Sequence, residues 1–399
     1  MMGTPLSISI VGAGLGGLVA AIAARRAGFD VTVYEQASSF APIGAGIQLG
    51  PNAVKVLRAL GLDKELGNFG AMPRNHVGRD WKSGRILFNS ATAQACVARF
   101  GAAYYQVQRS DLHDHLRSAL PEDCIKLGMR CAGVQQGPRS ATLQFADGSE
   151  AAADIVVGAD GIHSMVREAL LGPGAPRFTG VICWRGQVTA DRLPRGLIPP
   201  DSLNWMGPGG CVVHYYVRPD KLVNWIAHRT TDIWAEESWS VEGDKDELIS
   251  AFTGWHPSLH QLFEATERCY KWAIFDREPL SQWSSGRVTL LGDAAHPMLP
   301  FLAQGGAMAM EDGFVLAQVL KRHAGDPAAA LQHYESLRKE RTRRVQLQSR
   351  ERARTCQVAS PVARLRRDLG YMYDQWFRPG AAVRRAQWIY EYDVQSQGT

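Results

Sequence analysis

The stretch SISIVGAGLGGLVAAIAARRAGFDVTVYE, residues 7–35, decides the fold. It begins with a short β-branched run at 8–11 that is typical of a buried strand. A G-x-G-x-x-G pattern follows at 12–17, and the alanine-rich segment after it contains no helix breaker, so we predict a helix that begins at the glycines. Gly28 ends this helix, and the next apolar run predicts a second strand. This order is the arrangement of a dinucleotide-binding unit.

Each conspicuous residue of this unit has its own physical role. Gly12 permits the tight turn, Gly14 lets a pyrophosphate approach the backbone, and Gly17 lets the helix pack closely on the strand. The free N–H groups at the helix start, that of Leu15 among them, face the same pyrophosphate together with the positive end of the helix dipole. Glu35 lies at the tip of the second strand, where its carboxylate can accept hydrogen bonds from ribose hydroxyls. The pattern indicates a dinucleotide but does not distinguish FAD from NAD.

The composition is that of an ordinary globular protein. Of the 399 residues, 45% are hydrophobic and 21% are charged, and this length suits two closely joined domains. The formal net charge of +5 mildly favours anionic ligands but is too small to indicate a nucleic-acid partner. The apolar run at 6–24 belongs to the nucleotide-binding unit, and no other run reaches membrane length, so we expect no membrane span.

The cysteines point to the compartment and argue against a metal centre. There are seven of them, and no two form a C-x-x-C pair. This spacing excludes a thiol-redox motif or a zinc ribbon, so we predict no metal site. Unpaired cysteines also fit a reducing environment, and the location we expect is the cytoplasm.

Two later segments repeat the order of strand, glycine turn and helix. The first runs from an apolar strand into GADGIHSMVR at 158–167. The second runs from a strand at 287–291 into GDAAHP, a loop and a long helix. Both repeat the logic of residues 7–35, so we assign them to the nucleotide-binding domain.

Other segments predict antiparallel structure. Asp147-Gly148 lies between apolar runs at 143–145 and 154–157, which predicts a hairpin joining those two runs. Residues 73–105 mix short apolar runs with glycines and predict a β-ribbon. From about 175 to 275 the runs are short and alternating, which is typical of an antiparallel sheet.

The predicted fold class is therefore α/β, with a Rossmann-like nucleotide-binding domain on a parallel sheet and an inserted antiparallel-sheet substrate domain. The basic run 338–367 contains 11 basic and 2 acidic residues, and we interpret it as a solvated helix face. The aromatic-rich tail predicts a cap that packs on the body. The predicted domains are a nucleotide-binding domain at 1–72 with 102–175 and 276–350, a substrate domain at 73–101 with 176–275, and a C-terminal helical cap at 351–399.

Three motifs in this order resemble those of the single-component FAD-dependent aromatic hydroxylases, which share the p-hydroxybenzoate hydroxylase fold. They are GAGLGG at 12–17, GADGIHSMVR at 158–167 and GDAAHPMLPFLAQGGAMAMED at 292–312. The resemblance is closest to salicylate, 3-hydroxybenzoate and 6-hydroxynicotinate hydroxylases. GAGIQLGPNA at 44–53 and WIYEYD at 388–393 support it.

The resemblance implies FAD contacts outside the first glycine turn. Glu35 and Gln36 would bind the adenosine ribose, and Arg109 would contact FAD from the helix after the β-ribbon. Asp160 belongs to a motif that serves both FAD and the passing nicotinamide nucleotide. Asp293 would bind the ribityl chain.

The turn at 305–307 has a role of its own. Gly305, Gly306 and Ala307 would direct a helix N-terminus at the pyrimidine edge of the flavin. Reduced flavin carries negative charge at that edge, and the positive end of the helix dipole stabilises it.

The substrate pocket implied by the resemblance lies along the strand at 211–217. Tyr215 matches a pocket tyrosine of the 6-hydroxynicotinate enzymes. His214 has the better pKa for a base, but alternation along a strand puts the two side chains on opposite faces, and we favour Tyr215. Gln48 stands where the 6-hydroxynicotinate enzymes carry a histidine. We assign it a catalytic role and contacts with both flavin and substrate. Pro300 stands at a substrate-pocket position that is polar in 3-hydroxybenzoate 6-hydroxylases.

The activity implied is hydroxylation of a small hydroxylated aromatic or heteroaromatic acid, of salicylate, hydroxybenzoate, hydroxynicotinate or hydroxypicolinate type. NADH or NADPH would reduce FAD, and O2 would give a flavin C4a-hydroperoxide. No second G-x-G-x-x-G follows a strand, so the nicotinamide nucleotide would bind only transiently. One alternative is a related monooxygenase acting on a larger phenol, a quinone precursor or an isoprenoid. Another is a flavin-fold binding protein without chemistry. The expected assembly is a monomer or homodimer.

Overall fold

The computed structural model describes residues 5–40, 44–232, 241–378 and 380–396. Its strands and helices alternate in the first third of the chain, strands dominate the middle, and helices dominate the last third. The strands are β1 (Ser7–Val11), β2 (Asp30–Tyr34), β3 (Gly46–Leu49), β4 (Asn75–Asp80), β5 (Ile86–Ala91), β6 (Tyr105–Gln108), β7 (Ile125–Lys126), β8 (Cys131–Gln136), β9 (Ala141–Phe145), β10 (Glu150–Ala153), β11 (Ile155–Gly158), β12 (Arg177–Thr189), β13 (Ser202–Gly207), β14 (Gly210–Arg218), β15 (Leu222–Thr230), β16 (Cys269–Asp276), β17 (Ser284–Ser285) and β18 (Val288–Leu290). The helices are α1 (Leu15–Arg26), α2 (Pro51–Ala59), α3 (Leu66–Phe69), α4 (Ala93–Phe100), α5 (Arg109–Arg117), α6 (Met165–Leu171), α7 (Lys245–Ala251), α8 (Pro257–Ala265), α9 (Gly305–Arg322), α10 (Pro327–Cys356), α11 (Pro361–Phe377) and α12 (Ala381–Tyr390).

A six-stranded sheet carries the nucleotide-binding unit, in the order β17-β18-β11-β1-β2-β7. β1 pairs in parallel with both β2 and β11, and β11 pairs in parallel with β18. The central strands are apolar and buried, because α1 packs on β1 and β2, and because β9 and β10 of a separate three-stranded sheet contact β11 and β1. The strands that end in the three glycine turns are therefore neighbours, which brings the three motifs together at one edge.

A seven-stranded sheet, in the order β16-β12-β15-β14-β13-β4-β5, forms the second layer. Its pairings are antiparallel except for that of β13 with β4. One face of this sheet packs on its own apolar cluster, which includes Trp184, Trp225 and Phe263. The predicted fold class is confirmed, whereas the domain boundaries stay predictions.

The hairpin predicted between 143–145 and 154–157 is wrong in its second strand. β9 pairs instead with β10, and β11 joins the parallel sheet. The Asp154 carboxylate accepts a hydrogen bond from the Ser7 backbone N–H at 2.8 Å, which fixes the break between the two strands. All four residues of β11 are buried, as the centre of a parallel sheet requires, whereas β10 is partly exposed.

The ribbon predicted at 73–105 contains a helix as well. β4 and β5 form the ribbon, but α4 follows them and ends at Gly101, which has a φ of +71°. Cys96 and Phe100 are the buried residues of α4, and their spacing of four places both on one helix face. The four-residue spacing of these two apolar residues was the sequence signal for this helix.

The basic run at 338–367 is not simply a solvated face. Arg338 is fully buried and forms ion pairs with Glu311 and Asp312, each at 2.7 Å. Its partners precede it by 26 and 27 residues, so a count of charges within the run could not reveal them.

The C-terminal helices lie against the body on one side and are open on the other. Tyr390 at the end of α12 contacts the rings of Phe100 and Tyr104, and α11 packs along β5. No helix in the described part of the chain is long and apolar enough to cross a membrane. The outer side of α11 exposes a row of large apolar residues, namely Val362, Leu365, Leu369, Tyr373, Trp376 and Phe377.

Candidate active site

The first glycine turn is packed tightly on one side and open on the other. Gly12 has a φ of +104°, and a Cβ there would lie 2.4 Å from the Ala159 carbonyl oxygen. A Cβ at Gly17 would lie 2.0 Å from the Gly12 carbonyl oxygen. In contrast, a Cβ at Gly14 would meet nothing within 4 Å. Gly14 caps α1, so the first N–H groups of the helix, beginning with that of Leu15, face this open side, where a pyrophosphate fits.

Glu35 connects the second strand to the glycine turn. Its two carboxylate oxygens accept hydrogen bonds from the backbone N–H groups of Ala13 and Ala37, both at 2.9 Å. Each oxygen keeps further acceptor capacity, which suits the two hydroxyls of a ribose. Gln36 is exposed beside it. Their contact with the adenosine ribose stays a prediction.

Asp293 and Arg109 lie close enough in the cleft for the charge of each to affect the pKa of the other. Asp293 follows β18, and its side chain is open to the cleft. Loss of water contact raises the pKa of its carboxyl, and the charges of His296 and Arg109 oppose that rise. Burial lowers the pKa of Arg109, and Asp293 opposes that shift. An acceptor and a donor at this position fit the hydroxyls and ring edge of a flavin nucleotide.

A buried ion network fixes the loop that carries Asp293. Asp312 on α9 accepts hydrogen bonds from the Gly292 backbone N–H at 3.1 Å and from His296 at 2.5 Å. Burial acts to raise the pKa of Asp312, but His296 and Arg338 stabilise the carboxylate and hold that pKa at about 2. Neither Asp312 nor Arg338 was among the predicted site residues. An adjacent acid pair, 311–312, inside an apolar stretch of α9 was the sequence signal for Asp312.

The second part of the network anchors the start of α9. Glu311 pairs with Arg338 and Arg341, and it accepts a hydrogen bond from the Asn52 side-chain amide at 2.7 Å. The same amide donates to Gln304, the residue before α9, at 2.9 Å.

The predicted turn at 305–307 forms the first turn of α9. A Cβ at Gly306 would lie 2.8 Å from the end of the Ile47 side chain, so the start of α9 packs closely on β3. A Cβ at Gly305 would lie 3.7 Å from Met298, and the Ala307 side chain is buried. The helix N-terminus is therefore held firmly where the flavin ring is expected.

Asp160 supports a helix start. Its carboxylate accepts hydrogen bonds from the Ser164 hydroxyl at 2.5 Å and from the Val166 backbone N–H at 3.2 Å, at the N-terminus of α6. Burial raises the pKa of Asp160, and these two hydrogen bonds act against that rise. Its contact with FAD or a nicotinamide nucleotide stays a prediction.

A cavity of about 900 Å³ lies between the seven-stranded sheet and the C-terminal helices. Gln48 and Pro300, both predicted to line a pocket, lie on its wall. The strand β14 contributes Cys211 and Val213. The C-terminal helices contribute much of the opposite wall, which the sequence analysis did not foresee because it depends on packing between distant segments.

Tyr215 lies just behind this wall and is 1% exposed. The side-chain amides of Gln48 and Asn224 lie near its hydroxyl and act to lower its pKa, but burial has the larger effect and raises that pKa. The Tyr104 hydroxyl donates to Gln48 Oε1 at 2.7 Å. Gln48 therefore connects the cavity to two phenols, Tyr104 and Tyr215.

His214 points to the other face of β14, as alternation requires. Its Nε2 accepts a hydrogen bond from the Trp205 indole N–H at 3.0 Å. Burial lowers the pKa of His214 to about 3, with a smaller effect of Arg79, so the imidazole is neutral at physiological pH. The structure therefore brings Gln48 and Tyr215 together and leaves His214 on the opposite face of β14.

Comparison with known proteins agrees with this geometry. A family model described as "FAD binding domain" matches residues 6–203 and 216–349. The 3-amino-4-hydroxybenzoate 2-monooxygenase PtmB3 of Streptomyces platensis is 40% identical, over 98% of this chain and 97% of the relative. The 6-hydroxynicotinate 3-monooxygenase of Bordetella bronchiseptica is 39% identical, over 97% of this chain and 100% of the relative.

A solved structure extends the comparison to the whole fold. HpxO of Klebsiella pneumoniae, complexed with FAD and uric acid, superposes with a TM-score of 0.87 at 28% identity and covers 98% of this chain and 97% of its own. The fold, the glycine turn, the acidic residues of the cleft and the curated relatives agree. The chain belongs to the family of FAD-dependent aromatic-ring monooxygenases.

Proposed function

We propose that this monooxygenase uses NADH or NADPH and O2 to hydroxylate a small hydroxylated aromatic or heteroaromatic carboxylic acid. The observation that carries the proposal is the cavity beside the start of α9, with Gln48 on its wall and Tyr215 directly behind. Two relatives that span nearly the whole chain are named for substrates of this class, 3-amino-4-hydroxybenzoate and 6-hydroxynicotinate.

The residues of the cleft would hold FAD in order along its length. The N–H groups of α1 would bind the pyrophosphate, Glu35 the ribose, and Asp293 with Arg109 the part nearest the ring. When bound, FAD supplies the redox chemistry, because it accepts a hydride and activates oxygen. The start of α9 would stabilise negative charge on the ring.

Gln48 and Tyr215 would act on the substrate hydroxyl. An electron-rich ring reacts best when the proton of its hydroxyl is drawn away, so an oriented acceptor near that hydroxyl favours the reaction. Gln48 is within the cavity and would hydrogen-bond that hydroxyl, while Tyr215 fixes the amide from behind. Much of the remaining lining, including Val213 and Pro300, is apolar and would exclude water.

A larger substrate is a second candidate, and the cavity volume favours it. About 900 Å³ is near the upper end of the usual range for ligand sites, although the flavin ring would take part of that space. A larger phenol, a quinone precursor or an isoprenoid would fit in a cavity of this size beside the C-terminal helices. The small acid remains the better proposal because two relatives that span nearly the whole chain are named for small aromatic acids.

NADH oxidation should accelerate when the correct aromatic acid is added. The nicotinamide nucleotide would bind only transiently, so substrate would control when the flavin is reduced. We expect at least a 10-fold increase, about the smallest change expected of a gating step. The measurement is NADH and NADPH consumption with a panel of hydroxybenzoates, aminohydroxybenzoates and hydroxypyridine carboxylates. Equal rates with and without every acid would argue against the proposed substrate class.

Assembly and location are further parts of this proposal. The chain would act as a monomer or homodimer in the cytoplasm. All seven cysteines lie in the described part of the chain and none forms a disulfide, which supports a reducing compartment.

A further inference from the structure

Arg352 places a guanidinium on the cavity wall. Arg352 lies on α10 and lines the cavity together with Cys211, Cys356 and Tyr371. Its Nη1 donates a hydrogen bond to the Tyr371 hydroxyl. Within the described ranges no carboxylate lies at ion-pair distance from Arg352, and the groups that raise its pKa are Cys356, Tyr371 and Cys211. A cation removed from bulk water without a counter-charge is costly, so an anion is expected beside it.

The two acidic side chains considered as partners of Arg352, those of Glu351 and Asp374, form ion pairs with other arginines. Glu351 also lines the cavity, but its side chain is 71% exposed and pairs with Arg354 at 3.6 Å. Asp374 also lines the cavity, but it pairs with Arg385 at 2.5 Å. The charge of Arg352 therefore remains available to a ligand inside the cavity.

We propose that Arg352 binds the carboxylate of the aromatic substrate, with Tyr371 holding the guanidinium in position. This inference rests on the proposed function and adds the residue that selects for acids. A guanidinium presents two parallel N–H groups to a carboxylate, which gives both affinity and a fixed ring orientation.

The geometry of β14 places the two ends of the substrate. Cys211 and Tyr215 lie on the same face and are four residues apart, which corresponds to about 13 Å along a strand. Arg352 is beside Cys211, and Gln48 is beside Tyr215. A single-ring acid whose hydroxyl is meta or para to its carboxylate would direct the carboxylate to Arg352 and the hydroxyl to Gln48.

A thiolate at Cys356 is the competing counter-charge. A hydrogen bond from Cys211 is the largest of the effects that bring the pKa of Cys356 to about 6; burial opposes it, and the charges of Arg352 and Arg367 add to it. If Arg352 served only that thiolate, its removal would not distinguish an acid from a neutral ligand. A loss of affinity for acids alone therefore indicates that Arg352 binds the substrate carboxylate, whereas an equal effect on acids and neutral ligands indicates that it only balances the Cys356 thiolate.

The test compares each aromatic acid with its carboxamide. We would titrate the FAD-loaded protein with salicylate and salicylamide, 3-hydroxybenzoate and 3-hydroxybenzamide, and 6-hydroxynicotinate and 6-hydroxynicotinamide, and follow the bound-flavin absorbance. For Arg352→Gln we expect the acid to bind about 10- to 100-fold more weakly, as for a lost charge-assisted hydrogen bond, and the amide to bind within about 3-fold of wild type. Arg352→Lys should lose less affinity for the acid, because lysine keeps the positive charge. This variant replaces Arg352→Gln in the test if the glutamine variant does not fold.

The control is Arg354→Gln, two residues along the same helix, where the side chain is 79% exposed. It should bind acids like the wild type. Equal acid affinity in Arg352→Gln and wild type would overturn the inference and leave the proposed function intact. Equal loss of acid and amide would also overturn it, since that indicates a structural role. Binding of no acid by the wild type would overturn the inference together with the proposed function.

Discussion

Tyr215→Phe should hydroxylate its substrate about 100-fold more slowly than the wild type, at the low end for loss of a positioned proton-transfer group. Only an oxygen atom is removed, so fold and FAD content should be unchanged. The hydroxyl lies beside the Gln48 amide, and without it we expect that amide to lose its orientation toward the substrate. NADH would still be consumed, but a larger share of the oxygen should appear as hydrogen peroxide.

The control for this variant is Tyr216→Phe. Tyr216 is the next residue on the same strand, points to the opposite face and donates a hydrogen bond to the Ile198 carbonyl at 3.3 Å. The Tyr216→Phe variant should hydroxylate its substrate at close to the wild-type rate. Normal hydroxylation by Tyr215→Phe, with loss of activity in His214→Gln, would show that the other face of β14 serves the reaction.

Arg338→Met should lower the free energy of unfolding by about 3–5 kcal/mol, the usual result of removing one partner from a buried ion network. Arg338 is fully buried between Glu311 and Asp312, so methionine would leave negative charge without its main counter-charge. FAD affinity should fall as well, because Asp312 holds the loop of Asp293. Denaturant unfolding and FAD content are the measurements.

The effect of Arg338→Met should depend on pH. The pKa of Asp312 is depressed from 3.8 to about 2 in the folded protein, so this carboxylate contributes stability that is present above pH 3.8 and lost as the pH falls toward 2. In the variant the depression is smaller, so the stability difference from wild type should shrink in acid. Arg343→Met, on the same helix but 51% exposed and paired only with Glu340, should stay within about 0.5 kcal/mol of wild type. A similarly small change in Arg338→Met would mean that the network does not stabilise the fold.

Sequence patterns predicted the local parts of this molecule well. The unit at residues 7–35 is confirmed because a strand, a glycine turn and a helix are each decided by neighbouring residues. Gly12 and Gly17 also leave no room for a side chain, so the pattern could hardly arise for another reason. The same holds for the fold class, since three such units in order define one parallel sheet.

Long-range packing was beyond the reach of those patterns. The partner of β9 was misassigned because two adjacent apolar runs fit a hairpin equally well. The burial of Arg338 depends on acids 26 and 27 residues away in sequence, and a run of like charges gives no sign of it. Arg352 was likewise indistinguishable from its exposed neighbours until α10 was placed against the cavity.

The most direct test of the proposed reaction is the origin of the oxygen atom in the product. Purified FAD-loaded protein would be incubated with NADH, with the acid that most stimulates NADH oxidation, and with isotopically labelled O2, and the product would be analysed by mass spectrometry. The mechanism predicts one labelled oxygen atom on the ring, with oxygen and NADH consumed in equal amounts. A product that carries oxygen from water, or NADH consumption that yields only hydrogen peroxide with every acid of the panel, would contradict it.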